Sequence, residues 1–346
     1  MQETITNSKR IEYIDALRGF SMYLVVYAHI WTFCYHADNS QSFASILVNF
    51  FLVLFFFVSG FVAYKKDMDW SLGSIGSFLK KKFIQLIIPA VVFCTIFCLW
   101  KGYGLDAALA PSNAGYWFTI HLFYFFVFYS FTCFLSSRMG RGSDVFLLLV
   151  AMVIHGISYS HVMIEKTQLG GRLFHYLGMT NWRLYIFFCV GVLMRKHLDT
   201  VVKVIENKFC MAFFVLLFFF MVFCAAKIDF SWWKPICMLV YGSVSIVVIF
   251  AFFRKYQGAF SCNNKFGYWV QYVGKRTMDI YMIHYFLLPS NLNVLGNWFA
   301  MNPNPAVEFF VTTTIACMVM ALAMVIGNII RLSPFLSYYL LGGRKV

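Results

Sequence analysis

The sequence predicts an all-α, polytopic bundle of about ten membrane-spanning helices, with both termini cytoplasmic. Three observations carry this reading. Of 346 residues, 61% are hydrophobic and only 12% charged, whereas a soluble domain is about one quarter charged. Apolar runs long enough to cross a bilayer recur along the whole chain. The basic residues fall between those runs, with a bias that alternates from one connection to the next.

The runs lie near 14–34, 44–64, 83–101, 116–136, 143–160, 181–195, 209–226, 234–254, 268–290 and 306–332. The first, IDALRGFSMYLVVYAHIWTFC, follows a polar N-terminus and is not followed by a small-residue cleavage site, so it reads as a retained anchor. The second carries Ser59-Gly60, a small pair that permits close helix approach. No nucleophile-elbow motif surrounds Ser59. Lys80, Lys81 and Lys82 precede the third, which contains Gln85 and Pro89; GYWFTIHLF opens the fourth, placing Trp117 at an interface and His121 about one turn inside. The sixth is the shortest. In the ninth, QYVGKRTMDIYMIHYFLLP, Lys275 and Arg276 stand at the cytoplasmic start. Thr277, Tyr281 and His284 follow at helical spacing on one face. Asp279, on another face, reads as a structurally paired acid.

With the N-terminus inside, 21 Lys and Arg fall in cytoplasmic segments and 6 in outer ones. The net charge of +14 is therefore a topology signal and not a nucleic-acid surface. The ten cysteines lie mostly in apolar runs, and no CxxC or Cys/His cluster has metal-ligand spacing, so no metal site is expected. No repeat or soluble appendage interrupts residues 1–346, which read as a single membrane-embedded domain. Three outer segments, GYGLDAALAPSNAG, SHVMIEKTQLGGRLFHYLGMT and LPSNLNVLGNWFAMNPNPA, are rich in amide, hydroxyl and aromatic groups. They are suited to carbohydrate, or serve as ordinary connectors.

The chemistry concentrates on Arg18 and His29. Ionisable groups at membrane depth are costly and mark function by default. Eleven helical steps bring the two side chains to one face, about 16 Å apart along the axis. Asp15, three residues earlier, can pair with Arg18. A fixed cation near one surface can hold a phosphate or another anion. An imidazole deeper in the same helix can take a proton from a hydroxyl nucleophile.

Together these segments resemble the bacterial integral-membrane acyltransferase family called acyltransferase family 3. The resemblance rests on YIDALRGFSMYLVVYAHI, FFFVSGFV, KKKFIQLIIP, GYWFTIHLF, FFCVGVLMRKH and YVGKRTMDIYMIHYF, of which the first and last are the most specific. It implies a multi-pass protein of the bacterial cytoplasmic (inner) membrane, in contact with membrane lipid. The implied reaction moves an acyl group, usually acetyl, from acyl-coenzyme A to the hydroxyl of a glycan or lipid-linked sugar, with no permanently bound cofactor. Arg18 and His29 match the family's paired Arg and His, and Lys80, Lys81 and Lys82 its basic segment; Gln85 stands where a basic residue is common. In this reading His29 and Arg18 are catalytic. Arg18, Lys80, Lys81, Lys82, Lys275 and Arg276 bind the donor, and Trp117, His121, Thr277, Tyr281 and His284 line the substrate pocket. Export of a glycan or small anion, or a non-catalytic partnership with a glycan synthase, would use the same topology.

Overall fold

An apolar helix with a polar stripe must turn that stripe inward, because lipid offers its polar groups no partner. The computed structural model, which describes residues 11–35, 50–66, 68–104, 115–137, 139–159, 177–227 and 234–343, follows this rule. Among the described residues every regular element is helical. Asp279, His284, His121 and Thr312 are buried, while Phe213, Phe220, Met318 and Leu322 face outward. This inside-out distribution is that of a protein solvated by lipid.

Helix α1 (Glu12–His29) runs on into a π-helical segment, Ile30–Tyr35. It is followed by α2 (Phe51–Ala63), α3 (Leu72–Lys101), α4 (Trp117–Ser136) and α5 (Ser143–Tyr159). A 3₁₀ turn at Met179–Leu184 leads into α6 (Tyr185–Lys196), then α7 (Leu198–Glu206), α8 (Lys208–Lys227) and α9 (Lys234–Lys255). The chain ends in α10 (Lys265–Lys275), α11 (Thr277–Leu287), α12 (Asn293–Met301), α13 (Pro305–Ile330) and α14 (Pro334–Leu340). Helix α1 is central, packing against α2, α9, α10, α11 and α13.

Among the described residues, four helices are each long and apolar enough to cross a membrane: α3, α4, α9 from Pro235, and α13. A fifth crossing is formed if α7 and α8, bent by 82° at Asn207, count as one. Helices α2 and α5 are apolar but shorter. The ninth run departs from the expectation of one continuous span. Its helix breaks at Arg276, where φ −109° and ψ 14° are not helical, so Lys275 and Arg276 sit at a junction and not at the start of a span. The break lets α10 pack on α1 while α11 turns to meet both α1 and α13.

A close crossing joins α2 to α6. A Cβ on Gly60 would strike the backbone of Phe188, and a Cβ on Gly191 would strike that of Phe57. Each glycine is thus the socket for the other helix's main chain. Either Gly60→Ala or Gly191→Ala should cost about 1–3 kcal/mol through overpacking. Thermal unfolding in detergent would show this as a lowered midpoint, while Gly73→Ala, where the added Cβ meets nothing and Ala is the better helix former, should not lower it.

Candidate active site

Two adjoining cavities occupy the centre of the bundle. The larger, about 310 Å³, is lined by four cationic side chains: Arg18 of α1, Lys82 of α3, Lys275 at the end of α10, and Arg331 just past α13. Arg18 donates a hydrogen bond to Thr277 Oγ1 (3.2 Å) and lies 3.7 Å from the Asp15 carboxylate. Lys82 stands 4.3 Å from the centre of the Phe126 ring. Among the described residues no Asp or Glu lines the cavity, so its field favours an anion.

Arg331 is set by Asp279, a wholly buried carboxylate. Both oxygens of this carboxylate accept: Arg331 donates through Nε to Oδ2 (2.8 Å) and through Nη2 to Oδ1, and Arg276 donates through Nη1 to Oδ2 (3.2 Å). Arg276 is thereby turned to Asp279 and does not line the cavity. Helix α14 folds back on α3. Leu341 and Gly342 then close one side of the cavity beside Gln85.

The smaller cavity, about 30 Å³, is lined by His29, Gly115, Trp117 and Tyr285, with Val25, Phe51 and Leu52. Phe55, Phe118 and Tyr281 line both cavities and form the wall between them. The Tyr281 hydroxyl fixes that wall, donating to Gly115 O (2.9 Å) and accepting from Phe118 N (3.3 Å).

Hydrogen-bond accounting fixes the tautomer of His29. His284 Nδ1 faces two carbonyl oxygens, Tyr281 O (2.8 Å) and Ile280 O (3.0 Å). Carbonyls only accept, so Nδ1 carries the proton and Nε2 of the neutral ring carries a lone pair. His29 Nδ1 lies 2.7 Å from that Nε2 and must be the donor. His29 Nε2 is then left with its own lone pair, on the side of the smaller cavity. The Tyr285 hydroxyl lies 3.4 Å away, and its proton goes to Gly115 O at 2.9 Å. Gly115 has φ +67°, and a Cβ there would strike the Tyr285 ring at 2.8 Å. His284 thus orients His29 much as a third group orients the histidine of a catalytic triad.

Other expected site residues lie elsewhere. Lys80 and Lys81 are exposed and line neither cavity, because three consecutive helical residues point about 100° apart and only Lys82 is turned inward. His121 also lines neither. Its two ring nitrogens face Trp117 O (2.7 Å) and Gly178 O (2.9 Å), strapping α4 to the turn before α6. Two of the expected carbohydrate-facing connectors lie largely outside the described residues, at 105–114 and 160–176. The third contains α12.

A family profile for the acyltransferase domain matches residues 11–327. The chain belongs to acyltransferase family 3. No curated protein and no solved structure matches it. Membership makes this chain a membrane acyltransferase. The match covers both cavities and every lining residue of this acyltransferase except Arg331, Leu341 and Gly342. Removing Asp279 would leave two arginines without their buried partner. Asp279→Ala should therefore cost about 3–5 kcal/mol, measured as a fall in thermal midpoint of the purified protein; an unchanged midpoint would show the cluster to be dispensable.

Proposed function

We propose that this protein is an O-acyltransferase of the bacterial cytoplasmic membrane. It moves an acyl group, in the first instance acetyl, from acyl-coenzyme A to a sugar hydroxyl of a cell-surface or exported glycan. Ten spans with both termini cytoplasmic are part of this reading, supported by the 21-to-6 division of basic residues. The single observation that carries the chemistry is His29 Nε2, a base with its lone pair turned to a small cavity, about 16 Å along one helix from a cationic chamber.

In this reading the donor phosphates occupy the larger cavity with Arg18, Lys82, Lys275 and Arg331, where guanidinium and ammonium groups are natural phosphate ligands. Gln85 lines that chamber without a charge, and Arg331 brings in a cation from the far end of the chain. The pantetheine arm passes the wall of Phe55, Phe118 and Tyr281 and presents its thioester to His29. The acceptor hydroxyl attacks the thioester carbonyl as His29 Nε2 takes its proton. The Tyr285 hydroxyl lies 3.4 Å from His29 Nε2, and turning its proton from Gly115 O to the developing oxyanion would let it stabilise that charge. When the tetrahedral intermediate collapses, the C–S bond breaks and the thiolate recovers the proton from the imidazolium. His284 holds His29 in the competent tautomer throughout.

The size of the smaller cavity supports acetyl. A site needs about 10–15 Å³ to admit one water, so about 30 Å³ suits a two-carbon acyl group better than a long chain.

His29→Ala should reduce transfer of labelled acetyl from acetyl-coenzyme A by about 10²–10⁴-fold with folding retained. Full activity in that variant would remove the general base from the mechanism. Substrate movement across a vesicle without acyl turnover would point instead to a transporter. Arg18→Gln should raise KM for the donor about tenfold, the loss of one charge-assisted contact. Steady-state kinetics on vesicles checks this.

A further inference from the structure

A third cavity, about 230 Å³, opens beside the cationic chamber at the same end of the bundle. It lies between the α2–α3 connection and helices α4, α5 and α6. Lys65, Lys66, Trp70 and Tyr129 are among its lining residues. The two spaces follow one another along two elements. Ala63 lines the chamber and Tyr64 lines the third cavity; Phe126 lines the chamber and Tyr129, one turn on in α4, lines the third cavity. The step between them is about 5 Å on α4.

Charge and aromatic content distinguish this cavity from a packing defect. Lys65 and Lys66 have no ion-pair partner among the described residues. Among the described lining residues the one acid, Asp144, is already taken up by Lys196 (2.5 Å) and His197 (2.8 Å). Trp70 is half-buried and meets Tyr129 edge to face, with ring centres 5.2 Å apart. Two ammonium groups with no ion-pair partner among the described residues, beside a braced indole, make a site for a purine nucleotide: the cations take phosphate, and the indole offers a stacking surface. The chamber alone, at about 310 Å³, is at the small end for an organic ligand. An acyl-coenzyme A carries a nucleotide, three phosphates and a long arm.

We infer that the third cavity binds the adenosine 3′,5′-bisphosphate end of the donor, leaving the chamber for the pyrophosphate and pantetheine. This assignment rests on the acyl-coenzyme A reading above and adds a separate nucleotide subsite to it, contributed by Lys65, Lys66 and Trp70.

Two measurements on the full-length protein in detergent test it. In the first, labelled adenosine 3′,5′-bisphosphate should bind saturably, and Trp70→Ala or the double variant Lys65→Gln/Lys66→Gln should weaken it about tenfold or more. Trp70→Phe, which keeps an aromatic face, should retain binding, separating lost stacking from misfolding. Equal affinity in all variants, no saturable binding, or equally tight binding of inorganic pyrophosphate would overturn the nucleotide assignment. In the second, Trp70→Ala should raise KM for acetyl-coenzyme A about tenfold relative to KM for S-acetylpantetheine, which lacks the nucleotide. If the two KM values move together, the subsite is wrong. Should the unmodified protein transfer acetyl from neither donor, the acyl-transfer reading fails; the binding measurement alone then decides the subsite.

Discussion

The hydrogen bond between His29 and His284 is the interaction on which the arrangement of the bundle's centre depends. In an apolar medium a polar ring cannot be left to water. His29 is satisfied only if α11 brings His284 to it, and His284 is satisfied only by the carbonyls of its own preceding turn. Arg18 makes the same demand eleven residues earlier and is answered by Thr277 on the same partner helix. Two contacts so far apart on α1 fix both the position and the tilt of α11. The preceding segment then cannot continue straight, and the helix breaks at Arg276. The break is what allows α10 to seat Gly274 against the backbone of α1 at Asp15.

This chain of constraints explains which features could be read in advance. Arg18, His29, Thr277 and His284 stand out because each is a polar residue where its neighbours are apolar, and helical spacing alone assigns them to facing stripes. The all-helical class follows from composition for the same reason. The break at Arg276 was not legible, because it is imposed by tertiary contacts and no proline marks it. Nor was the orientation within Lys80–Lys82, since a run of three like residues carries no information about which one faces inward.

Two further site residues were hidden for different reasons. Tyr285 follows His284 directly and falls off the expected stripe; it reaches His29 because Gly115 leaves room for its ring. Arg331 lies beyond the last apolar run and looks like any topology-setting charge. Its place in the chamber depends on Asp279, more than fifty positions away in sequence. His121 was misleading in the opposite sense. A histidine inside a span suggests a wet cavity, but buried carbonyls can hold an imidazole equally well.

The partition formed by Phe55, Phe118 and Tyr281 also bears on the membrane itself. A polar chamber at one end and a titratable pair towards the other are the two halves of a proton wire. Joined by water, they would let protons run down the membrane potential, worth about 2.3 kcal/mol per charge at 100 mV. Three aromatic rings interrupt the path, and the one hydroxyl among them is engaged at both its donor and acceptor positions. The wall is in that sense an electrical barrier between the two cavities.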